Sequence, residues 1–509
     1  MVATIDSAVP YGVEALPVRV EVDARPGLPV LTVVGLPDAA IREARERILA
    51  AIRHLGCRLE TRAITINLAP AEHRKEGTGL DLAMATGVLV AAGLVPPPDE
   101  PVWLLGELSL DGALRPVRGV LPIVEAAAAC GARVLLPRDN LAEAAVVRAA
   151  TLYPANSLAD VVAHLRRETR IDPVSGGNGA YRMPPPTVAA DLAEVAGQEQ
   201  AKRACEIAAA GGHHLLFIGP PGAGKTMLAQ RLPGILPPLA ESEALETTKV
   251  YSIARGVPRP EGLITLRPFR APHHTISTAG LVGGGSVPRP GEVSLAHNGV
   301  LFLDEVTEFR RDVLEGLRQP MEARRVVIAR AAGTLTFPAR FQLVAAANPC
   351  PCGHLGDPRR ECRCSSLEVR RYRGRLSGPL LDRIDLQLDV PAVPFRELLR
   401  GQGAEPSARV LERVLAARAR QRARTGGRGE RTNADLTAAE VRSYCVADRD
   451  GERLLELAVG RLALSARAVH RILKVARTIA DLAGAEAIIA AHLGEAVGYR
   501  RLDRTAPRG

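Results

Sequence analysis

The 509-residue chain is poor in aromatic side chains, with one Trp, seven Tyr and seven Phe, or 3% of its residues. Stacking on bases therefore has few platforms, and any nucleic-acid contact must rest mainly on charge. No run of about 18 uninterrupted apolar residues occurs, which argues against a membrane-spanning helix and a membrane partner. The N-terminus, Met1-Val-Ala-Thr-Ile-Asp6, lacks the basic stretch and long apolar core of a secretory signal. Eight cysteines do not make a disulfide scaffold in a chain this long, and a reducing cytoplasm is the expected compartment. No internal repeat of fixed period is visible.

The rest of the composition is that of a globular chain, 47% hydrophobic and 24% charged. The length predicts about three domains. A net charge of +10 favours an anionic partner. Residues 1–165 mix strand and helix patterns. Val30–Val34 and Ile64–Leu68 read as strands, Asp38 as the N-cap of a helix reaching Ile52, and Asp81–Leu94 as a buried helix. Residues 166–186, ending in three prolines, read as a linker. Residues 187–390 hold the motifs described next. Residues 391–509 are rich in Arg and Ala and read as helical.

The stretch Gly219-Pro220-Pro221-Gly222-Ala223-Gly224-Lys225-Thr226 fits G-x-x-x-x-G-K-[ST], a phosphate loop. It follows an apolar strand pattern, Leu215–Ile218, and precedes a helical one, Met227–Leu232, which is the context the motif needs. Glycines let backbone N–H groups close around phosphates, and the helix N-terminus adds its positive end. Lys225 is placed to reach the β- and γ-phosphates of ATP, and Thr226 to ligate Mg²⁺. Downstream, Val300-Leu-Phe-Leu-Asp-Glu305 is an apolar strand ending in two acids. Asp304 suits the Mg²⁺ shell and Glu305 suits activation of a water. Parallel-sheet topology is expected to bring these strand ends together.

Further motifs follow in order: Val195-Ala-Gly-Gln-Glu-Gln-Ala-Lys202, Arg267-Pro-Phe-Arg-Ala-Pro-His-His-Thr275, Gly291-Glu-Val-Ser-Leu-Ala-His-Asn-Gly299, Ala347-Asn-Pro-Cys-Pro-Cys-Gly353 and Leu376-Ser-Gly-Pro-Leu-Leu-Asp-Arg-Ile-Asp385. On these residues the chain resembles the AAA+ ATPases of the magnesium-chelatase group. Over nearly its whole length it is similar to the bacterial competence-associated Mg-chelatase-like ATPases, the ComM/YifB family. The resemblance implies an α/β AAA+ P-loop ATPase core, an N-terminal α+β Lon-protease-like domain and a C-terminal helical lid domain. It also implies a homo-oligomeric, hexameric ring with ATP between subunits. Asn348 then corresponds to sensor 1, Arg383 to an arginine finger acting on a neighbour, and Arg467 to sensor 2. In the Lon-like domain the nucleophile position falls on Gly79 and the lysine position on Leu121, which leaves no attacking group for covalent catalysis. Thr78 and Lys75 are the nearby residues with suitable chemistry.

Cys350-Pro-Cys352 and Cys362-Arg-Cys364 form a metal-like constellation. Four thiolates suit Zn²⁺, although C-x-C is tighter than the usual spacing, and His354 is an alternative ligand. Four reduced thiols in a loop are the plainer reading. The positive charge is clumped: residues 358–375 hold seven Arg and two Glu, and residues 396–431 hold ten Arg and four Glu. Such segments bind a phosphate backbone without reading sequence, or are simply solvated helix faces. The insertion Arg267–Arg289 and a hairpin, Arg325–Arg330 turning at Ala332-Gly333 into Thr334–Phe337, are further candidate surfaces. Together these features favour a motor on single-stranded or branched DNA, a branch-migration helicase in transformation or recombination. A protein-remodelling AAA+ chaperone and a magnesium-chelatase motor subunit are the alternatives.

Overall fold

The computed structural model describes residues 2–59, 62–177, 190–285, 287–330, 333–357, 360–394, 405–427, 430–462 and 464–500. Residues 178–186 of the expected linker, Ala332 at the hairpin turn, and Arg359, Arg396, Arg400 and Arg428 lie outside the described residues.

The first part of the chain is one eight-stranded mixed sheet. Its strand order is Val174–Ser175, Thr151–Ala155, Arg133–Pro137, Val102–Leu104, Val2–Tyr11, Glu14–Pro26, Arg62–Ala69, Val30–Val34. The two-residue edge strand Val174–Ser175 belongs to the stretch expected as linker. The helix Ala39–His54 starts where the sequence predicts, with the Asp38 side chain accepting from Ile41 N at 2.8 Å. The helix Asp81–Ala91 is buried at every residue and lies against the long hairpin Val2–Tyr11/Glu14–Pro26. Such close approach needs Gly87, where a Cβ would stand 2.7 Å from Val22 Cγ2. Gly87→Ala would have to push Val22 aside, an overpacking cost of about 1–3 kcal/mol.

The second sheet has five parallel strands, in the order Phe269–Arg270, Val300–Leu303, Gln342–Ala347, Leu215–Ile218, Leu386–Asp389. Near-continuous apolar strands buried on both faces are what a parallel sheet demands. Every residue of Val300–Leu303 and of Gln342–Ala347 is buried. The acid-bearing strand does not adjoin the phosphate-loop strand. The strand ending at Ala347 separates them, pairing Leu303 with Ala345 and Ile218 with Ala347.

From residue 405 the described chain is helical: Ser407–Arg424, Ala438–Tyr444, Arg449–Leu462, Ala466–Leu482 and Ala490–Gly498. These helices share a hydrophobic core with the ATPase sheet, in which Val414, Ile472 and Ile479 join Phe217, Phe302 and Leu386. The N-terminal part docks on the ATPase part through Gly119 N, which donates to Ser252 O at 2.9 Å, and through side chains: the Arg118 guanidinium donates to the carbonyls of Ala254 and Val257, and Ser252 bonds Glu143.

A histidine ties three ATPase strands at their starts. His214 precedes the phosphate-loop strand. Its Nδ1 accepts from Leu343 N at 3.0 Å, and its backbone N donates to Asp385 Oδ2 at 3.0 Å. Burial pushes the imidazole down to about 4. An unfolded-chain histidine titrates near pH 6.5. Between those values the unfolded state binds more protons, so stability falls as pH falls from about 6.5 to about 4. The ring is not fully shielded from solvent, so the loss has a ceiling of about 3 kcal/mol. His214→Asn keeps a short acceptor without the titration. Urea unfolding across that pH range should show a flatter acid limb for the variant; an unchanged limb would place the titrating group elsewhere.

Candidate nucleotide site

The phosphate loop leaves the strand Leu215–Ile218 under steric compulsion. A Cβ on Gly219 would stand 2.1 Å from the carbonyl oxygen of Val390. Gly222 and Gly224 are left-handed, at φ 76° and 89°, and added Cβ atoms there would meet no atom within 4 Å. They line an open cradle that side chains would fill, and the left-handed turns aim backbone N–H groups into it. Gly224 caps the helix Lys225–Arg231. The cradle therefore fits a nucleotide's phosphates.

Lys225, at the start of that helix, donates from Nζ to Gly219 O at 2.6 Å, Pro220 O at 2.9 Å and Asn348 Oδ1 at 3.2 Å. Burial draws the ammonium below its ordinary range, opposed by the charges of Asp304 and Glu305. Thr226 Oγ1 donates to Asp304 Oδ2 at 2.7 Å. Hydroxyl and carboxylate together are hard oxygen donors of the kind Mg²⁺ selects. Asp304 Oδ1 accepts from Glu305 N at 2.9 Å. Glu305 itself is left-handed, at φ 48°. Such a backbone costs a residue with a Cβ about 1–3 kcal/mol and persists where surrounding structure enforces it. Lys225, Thr226, Asp304, Glu305 and Asn348, from three segments of the sequence, are thus joined around one loop.

The two arginines named by resemblance stand apart from this group. Arg383 is buried; it donates to Pro379 O at 2.6 Å and pairs with Glu322. Its Nε has no partner among the described residues. Arg467 is exposed in the first turn of Ala466–Leu482, whose N-cap is Ser465. Sequence reasoning missed Arg471, one turn further on. Arg471 Nη1 donates to Arg383 O at 3.0 Å and to Asp385 Oδ1 at 2.6 Å, tying the C-terminal helix to the Arg383 segment. No local signal marks it, because the contact spans 88 residues.

The four cysteines after Asn348 converge. The Sγ atoms of Cys350, Cys352, Cys362 and Cys364 all lie within 4.8 Å of one another. Three of the distances are 3.4, 3.7 and 3.7 Å. A tetrahedron of Zn–S bonds of about 2.3 Å has edges of about 3.8 Å, so the thiols fit zinc despite their tight sequence spacing. Backbone N–H groups of His354 and Arg363 hold the Cys352 thiol down to about 6. His354 instead lies beside Asp357. The same loop leans on the nucleotide site: a Cβ at Gly353 would stand 2.7 Å from Pro221 Cδ.

In the N-terminal sheet, Lys75 is buried and bonds the carbonyls of Pro70 and Gly35, while Thr78 bonds Glu107. Leu121 is buried in the helix Val120–Ala129. The two Arg-rich segments differ. Arg360, Arg363, Arg370 and Arg371 are exposed and form no ion pair among the described residues. The seven described arginines of 396–431 are all engaged within the chain: Arg409 with Glu412, Arg413 with Glu206, Arg418 with Ala209 O, Arg420 with Asp481 O, Arg422 with Glu430, Arg424 with Asp481 and Arg431 with Glu440. Arg413, Arg424 and Arg431 are tied to carboxylates inside the fold, while Arg409, Arg420 and Arg422 remain exposed.

Sequence comparisons agree with this architecture. Residues 191–398 match the family described as magnesium chelatase, subunit ChlI; residues 20–140 match subunit ChlI of Mg-chelatase, and residues 404–500 its C-terminal family. The YifB protein of Salmonella typhimurium is 45% identical over 505 residues, covering 99% of this chain and 97% of that protein. The competence protein ComM of Haemophilus influenzae is 44% identical over 510 residues, covering 99% and 98%. An archaeal Lon protease from Methanothermobacter thermautotrophicus is 30% identical over 161 residues, 30% of this chain and 24% of that protein, which accords with the Lon-like N-terminus. With its phosphate loop and acidic strand held in one parallel sheet, the chain belongs to the ComM/YifB family of Mg-chelatase-like AAA+ ATPases, a membership that implies ATP hydrolysis with Mg²⁺.

Proposed function

We propose that the protein is a ring-forming, ATP-driven motor on DNA, a branch-migration helicase serving transformation or recombination. The observation that carries this reading is the exposed arginine set Arg360, Arg363, Arg370 and Arg371, which forms no ion pair among the described residues and begins 12 residues after Asn348. A second cationic edge is the hairpin Arg325–Arg330/Gly333–Pro338, with Arg325 and Arg330 exposed. Arg330 donates to Gly285 O at 3.3 Å, linking hairpin and Gly-rich insertion. Arginines offered to phosphates bind any sequence. The word competence in the name of the Haemophilus relative points the same way.

In this reading bound Mg·ATP supplies the phosphoryl bond whose cleavage drives movement. Lys225 neutralises phosphate charge, and Thr226 and Asp304 hold the metal. Glu305 takes the proton of the attacking water, which Asn348 orients. Arg383, remote from its own loop, serves a neighbour's nucleotide after leaving Glu322, and Arg467 completes that site from the C-terminal helices. Such division between subunits requires an oligomer, and a hexameric ring is the form we propose.

Zinc on the four thiolates would brace the loop between Asn348 and the exposed arginines, a segment rich in Gly and Pro with little core of its own. Metal analysis of purified protein should find about one zinc per chain, lost in Cys352→Ser/Cys364→Ser. A folded wild type without metal would contradict this.

DNA binding by the assembled protein should ignore sequence and weaken steeply with salt. Replacing Arg360, Arg363 and Arg371 by Ala should flatten the salt dependence by up to about three phosphate contacts while basal ATP hydrolysis survives. Affinity for a branched DNA, measured across a salt series for both proteins, checks this. Salt-insensitive binding, or none, would favour a motor acting on proteins.

A further inference from the structure

At the end of the ATPase strands opposite the phosphate loop, where His214, Gly299 and Gln342 start or precede their strands, the C-terminal helices cover a cavity of about 150 Å³. Its lining is polar and lopsided in charge: seven arginines and Lys474 face four carboxylates. His214 adds no charge at neutral pH, since burial holds it down to about 4.

Each carboxylate is already taken. Glu243 accepts from Arg267 at 3.0 Å and lies 3.5 Å from Arg340; Asp385 accepts from Arg471 at 2.6 Å. Asp435 is shared by Arg324 and Arg340, and Glu430 lies 3.6 Å from Arg422. Among the described residues, Arg418 and Lys474 bond to backbone alone. Arg418 donates to Ala209 O at 2.8 and 3.3 Å, and Lys474 Nζ to Ala434 O at 2.9 Å. Burial, with repulsion from Arg267 and Arg340, pushes the Arg418 guanidinium down to about 9. Burial, with repulsion from Arg340 and Arg431, pushes Arg324 down to about 10. A half-open cavity whose lining carries eight cations against four carboxylates is one an anion would relieve.

We propose that this cavity binds a compact phosphate-class oxyanion, inorganic phosphate or pyrophosphate, between the ATPase sheet and the C-terminal helices. Guanidinium forks match tetrahedral oxyanions in geometry as well as charge. The site lies at the strand ends remote from Lys225, so the two can be separated experimentally. Bound there, the anion would bridge Arg418 and Lys474 of the helices to Arg324 and Arg340 of the ATPase part. The orientation of the helix Ala466–Leu482 would then depend on anion occupancy.

The test uses the full chain carrying Lys225→Ala, which disables the phosphate loop. Calorimetric titration with pyrophosphate, without Mg²⁺, should give one saturable site per chain. Adding Arg418→Gln and Lys474→Met should weaken binding at least tenfold; Lys474→Met alone, the milder change, should weaken it several-fold. Pyrophosphate should raise the melting temperature of the parent only. A parallel titration with ATP distinguishes the source of the phosphates: weaker binding than pyrophosphate assigns the site to free inorganic anions. Equal binding, lost with the same substitutions, assigns it to nucleotide phosphates of the same chemistry. No saturable pyrophosphate binding by the Lys225→Ala protein, or binding unaffected by Arg418→Gln and Lys474→Met, would overturn the proposal.

Discussion

The registered parallel pairing of three strands is the constraint on which the rest depends. Ile218 sits opposite Ala347, so the strands carrying the phosphate loop and Asn348 end level, and Leu303 sits opposite Ala345, so the strand leading to Asp304 ends two residues earlier at the same edge. A slip of one residue would turn every side chain to the other face. Only in this register does Thr226 reach Asp304 while Lys225 reaches Asn348. The buried apolar strands hold it, and the strained backbone of Glu305 is sustained by the same frame.

Two attachments extend that frame outward. After Asn348 the chain enters the cysteine loop at once, and Gly353 packs on Pro221 of the phosphate loop. A change in the cysteine loop is thereby felt at the nucleotide site and at the exposed arginines beyond it. At the opposite strand ends, Asp385 joins Arg471 and His213 to the backbone of His214. Burial alone would raise the Asp385 carboxyl, but Arg471 and His213 hold it well below its ordinary range. Since Arg471 also bonds the Arg383 carbonyl, movement of the C-terminal helices pulls on the arginine proposed to serve a neighbouring subunit.

Local and periodic features were legible in the sequence. The phosphate loop is contiguous, its neighbours are a plain apolar strand and a short helix, and Asp38 caps the helix expected to follow it. The cysteine cluster was legible as a ligand set, but its closeness was not: C-x-C spacing understated how well the thiols converge. The intervening position of the Asn348 strand could not be read, because strand order is set by tertiary packing. How much of the charge of residues 396–431 is paired could not be read for the same reason. Its partners Glu206 and Asp481 lie far away in sequence, so part of a run that reads as a cationic face is tied inside the fold. Arg383 pairing with Glu322, 61 residues away, was equally invisible.

The central claim, ATP turnover harnessed to DNA, is tested most directly by the hydrolysis rate of the wild-type protein alone and with single-stranded, duplex and branched DNA. Glu305→Gln serves as the control that binds nucleotide without turnover. The account predicts stimulation of the wild type, greatest with branched DNA, and none for the control. A wild-type rate indifferent to all three DNAs, or normal turnover by Glu305→Gln, would contradict it.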